Sequence, residues 1–552
     1  MTSLPAAPAL LARLRAALRL SPLTLMALTV LFTFCAHNAT FWSIGADVFS
    51  GHPLSFAGYM LAVFALTLGA FSLFALPWVV KPFAIFIVML GACTSYYMDS
   101  LGVIIDRDMI QNVMVTTMAE SRHLITLSFV SHVVVFGVLP ALLIACVTVV
   151  PHGLIRTALT PVLACVLGFA VAAGLLYADL KSYSSILRER KDFMSSYQPG
   201  GPLVGAIRYA RMMGRSANTV LVATGEDAMR GPAYTAEAKP VLTIVVAGET
   251  ARAMNFSLNG YDVPTNPQLA QLPVTSFTQV YSCGTATATS LPCMFSKFTR
   301  DDYSYEAALS HENVLDVIAR AGLHVEWWDN NTGHKNIADR ITARNFATLE
   351  DPAFCADGEC IDGIFLQALA DYADSITQDT VLVLHQIGSH GPTYHLRFPA
   401  GFERFTPDCQ TAEFKQCTPA EIIAAYDNTI LYTDEILARI ITLLEGHATL
   451  DTAMLYISDH GESLGEGGLY LHGTPFFMAP ATQIHVPMIL WLSKRYAARF
   501  GLDTACITAQ KDRTLSHDNL FHSLLGLLEI QTTARDPALD VFAACKTPAK
   551  AS

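Results

Sequence analysis

Residues 278 to 296, TQVYSCGTATATSLPCMFS, hold Thr285, Thr287, Thr289 and Ser290 in a short loop between Cys283 and Cys293. A hydroxyl is a feeble nucleophile at neutral pH unless a base or a bound cation activates it. The chain carries the means for cation binding. Three apolar, strand-like runs stop abruptly at donor side chains: VLTIVVAGET at Glu249, TVLVLHQIGSH at His385 and His390, and AMLYISDHGE at Asp459 and His460. Carboxylate oxygen and imidazole nitrogen together suit Zn2+ better than manganese, and a loop threonine would complete a four-donor set. His472, in the glycine-rich GESLGEGGLYLHG, adds a further candidate. Taken singly, each has a plain structural explanation, such as a turn and helix cap at Asp459 to Gly461. Four donor-bearing segments in one stretch of chain are poorly explained that way.

Residues this far apart in sequence meet only if their strands share a sheet. In an open α/β sheet, ligands sit beyond the carboxyl ends of the strands. From Pro240 onward apolar strands alternate with helical stretches near 311 to 321 and 361 to 375. That alternation predicts a mostly parallel sheet covered on both faces.

The part before residue 180 is of another kind. Mean hydropathy over the chain is +0.38 and charged residues make up 15%, too apolar for an ordinary soluble protein. Apolar runs near 22 to 44, 54 to 76, 82 to 98, 123 to 149 and 160 to 178 each approach the roughly 20 residues that cross a bilayer as a helix. The first is too long for a signal-peptide core and lacks a small-residue cleavage site. Five spans put Arg13, Arg15 and Arg19, Lys81 and Arg156 on one side, the cytoplasmic one by the positive-inside rule. The C-terminal domain is then expected outside. The cysteines agree: Cys35, Cys93, Cys146 and Cys165 stand singly in apolar runs, whereas Cys283 with Cys293, Cys355 with Cys360, and Cys409 with Cys417 are spaced for local disulfides in an oxidising compartment. Cys506 and Cys545 form a weaker fourth pair. A zinc cluster is disfavoured because no CxxC unit occurs, and the net charge of −12 without a basic patch excludes nucleic acid.

Three domains follow: an anchor over 1–180, a linker with surface helices over 181–239, and a catalytic domain over 240–552. Between the third and fourth spans, Ile105, Met109 and Val113 recur at helical spacing, as do Asn112, Thr116 and Glu120. This predicts one helix at about 103–121 lying in the outer interface, although on spacing alone a solvated connecting helix fits better.

The segments GETARAMNFSLNGY, SCGTATATSLPCMFS, WWDNNTGHK, HQIGSHGPTY and SDHGESLGEGGLYLHG resemble the motif series of the bacterial membrane phosphoethanolamine transferases that modify lipid A, a family that includes the mobile colistin-resistance enzymes. The five-span anchor and the loop DRDMIQNVMVTTMAE fit as well. The resemblance implies an alkaline-phosphatase-like (sulfatase-type) α/β fold, a zinc cofactor with room for a second ion, and Thr287 as nucleophile. It implies Glu249, Thr287, Asp459 and His460 as zinc ligands. Lys335, His390 and His472 match positions that hold phosphate or a second metal, and Asn112, Thr116 and Glu120 match a lipid-contacting interfacial helix, which reverses the spacing-only reading. One departure is that Cys355 and Cys360 close a shorter loop than is usual.

The implied reaction moves phosphoethanolamine from phosphatidylethanolamine to a lipid A phosphate through a phosphoethanolamine-threonine intermediate. His390 or His472 would assist as acid and base, and Lys335 would stabilise charge. The implied setting is a monomer in the bacterial inner membrane with a periplasmic catalytic domain, conferring polymyxin resistance. The nearest alternative is a phosphoethanolamine or phosphoglycerol transferase acting on another envelope glycan or lipid. A sulfatase is disfavoured by the absence of a CxPxR pattern, and a hydrolase by the lipid-facing anchor.

Overall fold

The computed structural model describes residues 18–150, 153–217 and 219–547. Arg13 and Arg15, invoked for orientation, lie outside them. The chain divides into two compact units, Met1–Arg107 with Ile125–Ile207, and Asp108–Leu124 with Arg208–Ser552.

The first unit is helical. Among the described residues, α1 (Pro22–Ala36), α2 (Ala39–Val48), α3 (Pro53–Ser72), α4 (Val80–Leu101), α7 (Leu127–Cys146) and α8 (Leu154–Ala178) supply four helices long and apolar enough to span a membrane, or five if the α1/α2 pair is one span. Some polar side chains in these helices satisfy themselves locally. Thr29 and Thr67 return their hydroxyls to carbonyls of the preceding turn, both at 2.9 Å. The expected first span is not one straight helix, because α1 and α2 meet at 67° across His37 and Asn38. Both residues at the break are put to use. Asn38 Nδ2 donates to the Thr33 carbonyl at 2.9 Å. His37 Nε2 lies 3.1 Å from the Phe136 carbonyl, in the stretch Val134–Val138 that winds as a π-helix ahead of Pro140.

The second unit is built on an eight-stranded sheet of β1 (Val241–Gly248), β2 (Thr275–Tyr281), β3 (His324–Asp329), β4 (Thr342–Asn345), β5 (Thr380–His385), β6 (Asp451–Ser458), β7 (His485–Leu492) and β8 (Leu515–Ser516) in the order β8-β2-β7-β6-β1-β5-β3-β4. Only β7 runs antiparallel to its neighbours, so the mostly parallel expectation holds. β1, β5 and β6 are buried at every residue, as central strands covered on both faces must be. The helices expected at 311 to 321 and 361 to 375 are Val314–Arg320 and Ile364–Ser375. The first starts late because Asn313 caps it reciprocally with Asp316.

Register matters most for the site. Ser458 pairs with Gly248, His385 with Ala247 and Asp329 with His385, so Glu249, Asp459, His385 and Asp329 reach the same end of the sheet together. The three expected disulfides and the Cys506–Cys545 bridge are formed. The single helix expected at about 103–121 is instead two, α5 (Arg107–Val115) and α6 (Met118–Leu124). The two threonines between them interrupt it: Thr116 returns its hydroxyl to the Asn112 carbonyl at 2.7 Å, and Thr117 Oγ1 accepts the Glu120 N–H at 3.3 Å, in the manner of a cap.

Candidate active site

Glu249 and Asp459 each follow directly on a central strand, β1 and β6, and His460 follows Asp459. One donor atom from each lies within 4.8 Å of the others, and all three residues are buried. Thr287 opens α9 (Thr287–Phe295), behind the loop that the Cys283–Cys293 bridge closes. Its Oγ1 is 3.1 Å from each oxygen of Glu249 and 3.4 Å from His460 Nε2. At a helix start the first-turn amides have no partner within the helix, which makes the place suitable for an anion.

Charge in the cluster is unbalanced. Burial and the neighbouring Glu249 push Asp459 up to about 6. Burial opposes a charged His460, but Asp459 and Glu249 outweigh it and hold the imidazole up at about 10. Asp459 Oδ2 and His385 Nε2 are buried without a hydrogen-bond partner. Two buried carboxylates, an imidazole and these orphaned atoms fit a divalent cation, since buried charge needs a counter-charge. His460 Nδ1 faces the Gly461 carbonyl at 2.9 Å, which fixes the ring with Nε2 toward the cluster.

Around this centre sit His472, His390, Glu120 and Lys335, which the sequence also singled out. The His472 ring is 4.5 Å from that of His460 and 5.3 Å from that of His390. His390 Nε2 is 3.0 Å from Glu120 Oε1, while Glu120 Oε2 is buried without a partner. Lys335, held in the left-handed region at φ 45°, donates to the Thr332 carbonyl and hydroxyl at 2.6 and 2.7 Å. Burial lowers its pKa, and Asp329, Glu120 and Glu249 work against that. Asn112 and Thr116 are not brought into hydrogen-bond contact with this group; Thr116 is spent on the Asn112 carbonyl. From the same segment, Gln111 Nε2 reaches the Ala288 carbonyl at 3.5 Å, and Met109 fills the space over Gly473. The segment thus runs as a strap from the first turn of α9 to His390.

Several residues go beyond the sequence-based set. Asn331 Nδ2 donates to Glu249 Oε2 at 2.8 Å and to the Gln386 carbonyl at 2.7 Å. His385 Nδ1 lies 2.8 Å from Asp329 Oδ2, which turns its Nε2 toward Glu249 at 4.0 Å. Glu462 Oε2 is 3.4 Å from His472 Nδ1. Asn331 and Asp329 lie in the motif WWDNNTGHK, the one signal that pointed to them.

Comparison with known proteins agrees with this geometry. Residues 242–530 match the sulfatase family model, and residues 63–213 match the model for phosphoethanolamine transferase EptA/EptB. The chain is 42% identical over 475 residues to phosphoethanolamine transferase EptA of Escherichia coli K12, covering 85% of this chain and 86% of the relative. It is 36% identical over 536 residues to phosphatidylethanolamine transferase Mcr-1 of Escherichia coli, covering 92% and 95%. The solved structure of the integral membrane lipooligosaccharide phosphoethanolamine transferase A from Neisseria meningitidis superposes with a TM-score of 0.92 at 34% identity, over 95% of this chain and 99% of that one. With the sulfatase-like sheet, the apolar helices and relatives aligned over nearly the whole length, the chain belongs to the lipid A phosphoethanolamine transferase family.

Proposed function

We propose that this protein transfers phosphoethanolamine from phosphatidylethanolamine to a phosphate of lipid A through a covalent intermediate on Thr287. The observation that carries the reading is Thr287 Oγ1 at 3.1 Å from both oxygens of Glu249, at a helix start and beside Asp459 and His460. Zinc held by Glu249, Thr287, Asp459 and His460 would lower the pKa of the threonine hydroxyl and draw charge from the phosphoryl oxygens.

The protein's own groups account for the rest. The Thr287 oxygen forms a bond to phosphorus as the bond from phosphorus to the diacylglycerol oxygen breaks. Diacylglycerol leaves with a proton, for which His390 and His472 are the nearby carriers. An oxygen of the lipid A phosphate then bonds to the same phosphorus, and Thr287 departs and recovers its hydroxyl. Lys335 and the first-turn amides of α9 face the non-bridging oxygens. The free oxygen of Glu120 takes the donor's ammonium, and Asn112 and Thr116 serve phosphate or glycerol oxygens of the headgroup.

In the same reading the protein is a monomer of the inner membrane. Its N-terminus is cytoplasmic, residues 240–552 act in the periplasm, and the modified lipid A lowers affinity for polymyxins. The test is mass spectrometry of lipid A from cells with and without the protein. A gain of one phosphoethanolamine, absent with Thr287→Ala, is expected. No gain in cells that make folded, membrane-inserted protein would refute the reading.

A further inference from the structure

A second group of ion pairs lies beside the donor cluster. The hairpin of Cys355–Ala356 and Glu359–Cys360 is closed by its disulfide and turns through Asp357 and Gly358, both in the left-handed region. A Cβ on Gly358 would come within 3.4 Å of the Ala119 Cβ, so the turn rests on α6. From this hairpin Glu359 extends to an imidazole and a guanidinium. Its Oε2 is 3.0 Å from His123 Nε2 on α6 and 2.9 Å from Arg397 Nη1, while Arg397 Nη2 is 3.3 Å from Oε1. Arg397 Nε donates to the His390 carbonyl at 2.7 Å. The Arg397 side chain is 2% exposed and that of Glu359 11%, so this pair is shielded from the solvent that weakens surface ion pairs. Burial pushes the Glu359 carboxyl up, but Arg397 and His123 outweigh it and hold it below the usual range.

α6 is therefore fastened at two points three residues apart, on one face of the helix: Glu120 on His390 and His123 on Glu359. Both fastenings end on the same loop, because Arg397 ties Glu359 to the His390 carbonyl. A short, seven-residue helix has little stability of its own and takes its position from such contacts. We propose that Glu359, carried on the Cys355–Cys360 hairpin, is a positioning residue that docks α6 through His123, so that Glu120 is presented to His390 and to the donor headgroup. The consequence for catalysis rests on the reading under Proposed function; the docking does not.

The test is hydrogen exchange on the full-length protein in lipid, with His123→Ala, His123→Glu, His123→Lys and Glu359→Gln. His123 is 19% exposed on the strap, so its replacement does not threaten the sheet. In His123→Ala, His123→Glu and Glu359→Gln, amides of 118–124 should exchange about tenfold faster or more, while those of 287–295 stay protected. His123→Lys, which keeps a donor toward Glu359, should restore protection. The same loosening should raise KM for phosphatidylethanolamine in vesicles several-fold and leave kcat within about twofold. Unchanged exchange in His123→Ala and His123→Glu, equal loss of protection across 287–295, or failure of His123→Lys to restore it would each overturn the proposal. Exchange needs no turnover, so a wild-type protein that modifies no lipid A would defeat the functional reading and leave the docking to be decided by the exchange data.

Discussion

Four hydroxyls crowd the loop and first turn around α9, and partners distinguish three of them. Thr285 is buried and donates to the Thr474 carbonyl at 2.7 Å, and Ser290 donates to the Asp459 carbonyl. Thr287 alone faces Glu249 and His460. Thr287→Ala should therefore reduce transfer by about a thousandfold or more while Glu249, Asp459 and His460 still bind metal, as turnover and metal content together would show. Thr285→Ala should cost about 1 kcal/mol of stability and leave turnover per folded molecule within about threefold. Reversed effects in the two variants would remove Thr287 from the nucleophile's place. The sequence made Glu249, Asp459 and His460 legible because a hard donor at the end of a buried strand breaks an apolar pattern. It left Thr285, Thr287 and Thr289 equivalent until a family resemblance separated them. Asp329, Asn331 and Glu462 stand in the motifs WWDNNTGHK and SDHGESLGEGGLYLHG but had no role readable there, since they act on other donors.

At the scale of elements, the long helix α10 (Pro419–Gly446) shows how the unit responds to pH. Its start was readable: Thr418 and Glu421 form a capping box and Pro419 takes the first turn. Its buried acids were not, because Asp427 and Asp434 look like an ordinary solvated face. In the structure Asp427 accepts from Asn255 at 2.6 Å and Tyr261 at 2.9 Å, and Asp434 accepts the Gln268 and Leu269 amides at 2.9 and 3.0 Å. Burial raises both carboxyls to about 6 despite these bonds. The folded state then holds these protons more tightly than the unfolded chain, whose aspartates titrate near 3.9. The contribution is complete below the unfolded pKa and is lost as pH rises through about 6, on the order of 3 kcal/mol for each group. Denaturant unfolding of Asp434→Asn at pH 4.5 and pH 8 should show a smaller difference between the two than the wild type. An unchanged difference would mean that Asp434 is ionised throughout. The strap gives the opposite lesson: Met109, Asn112 and Val113 fall on α5 and Glu120 on α6, while Ile105 and Thr116 lie outside both helices. Thr116 and Thr117 break the helix through side-chain bonds that periodicity does not register.

For the whole molecule, composition separates an apolar helical part from an α/β part, but it does not assign residues 108–124. These lie in sequence between two membrane-type helices and belong by contact with the C-terminal unit. The tie is made of particular contacts: Met109 over Gly473, Gln111 on Ala288, Glu120 on His390 and His123 on Glu359. Cutting the chain at Arg208 would remove this strap while leaving Glu249, Thr287, Asp459 and His460 in place. A fragment covering 208–552 keeps the whole eight-stranded sheet and all of the second unit except the strap. The fragment should bind zinc with an affinity within about threefold of the full protein, because all four proposed ligands come from it. It should also turn over a short soluble phosphodiester, yet transfer from phosphatidylethanolamine vesicles should fall about a hundredfold. Loss of the membrane anchor alone could produce that fall. The separating measurement is therefore the same fragment fused to an unrelated transmembrane helix and reconstituted with donor lipid. If the strap holds the headgroup, tethering should restore little of the lost transfer, and the full chain carrying Glu120→Ala should show a loss of similar size. A tethered fragment that recovers to within about twofold of the full protein would place donor recognition entirely within residues 208–552.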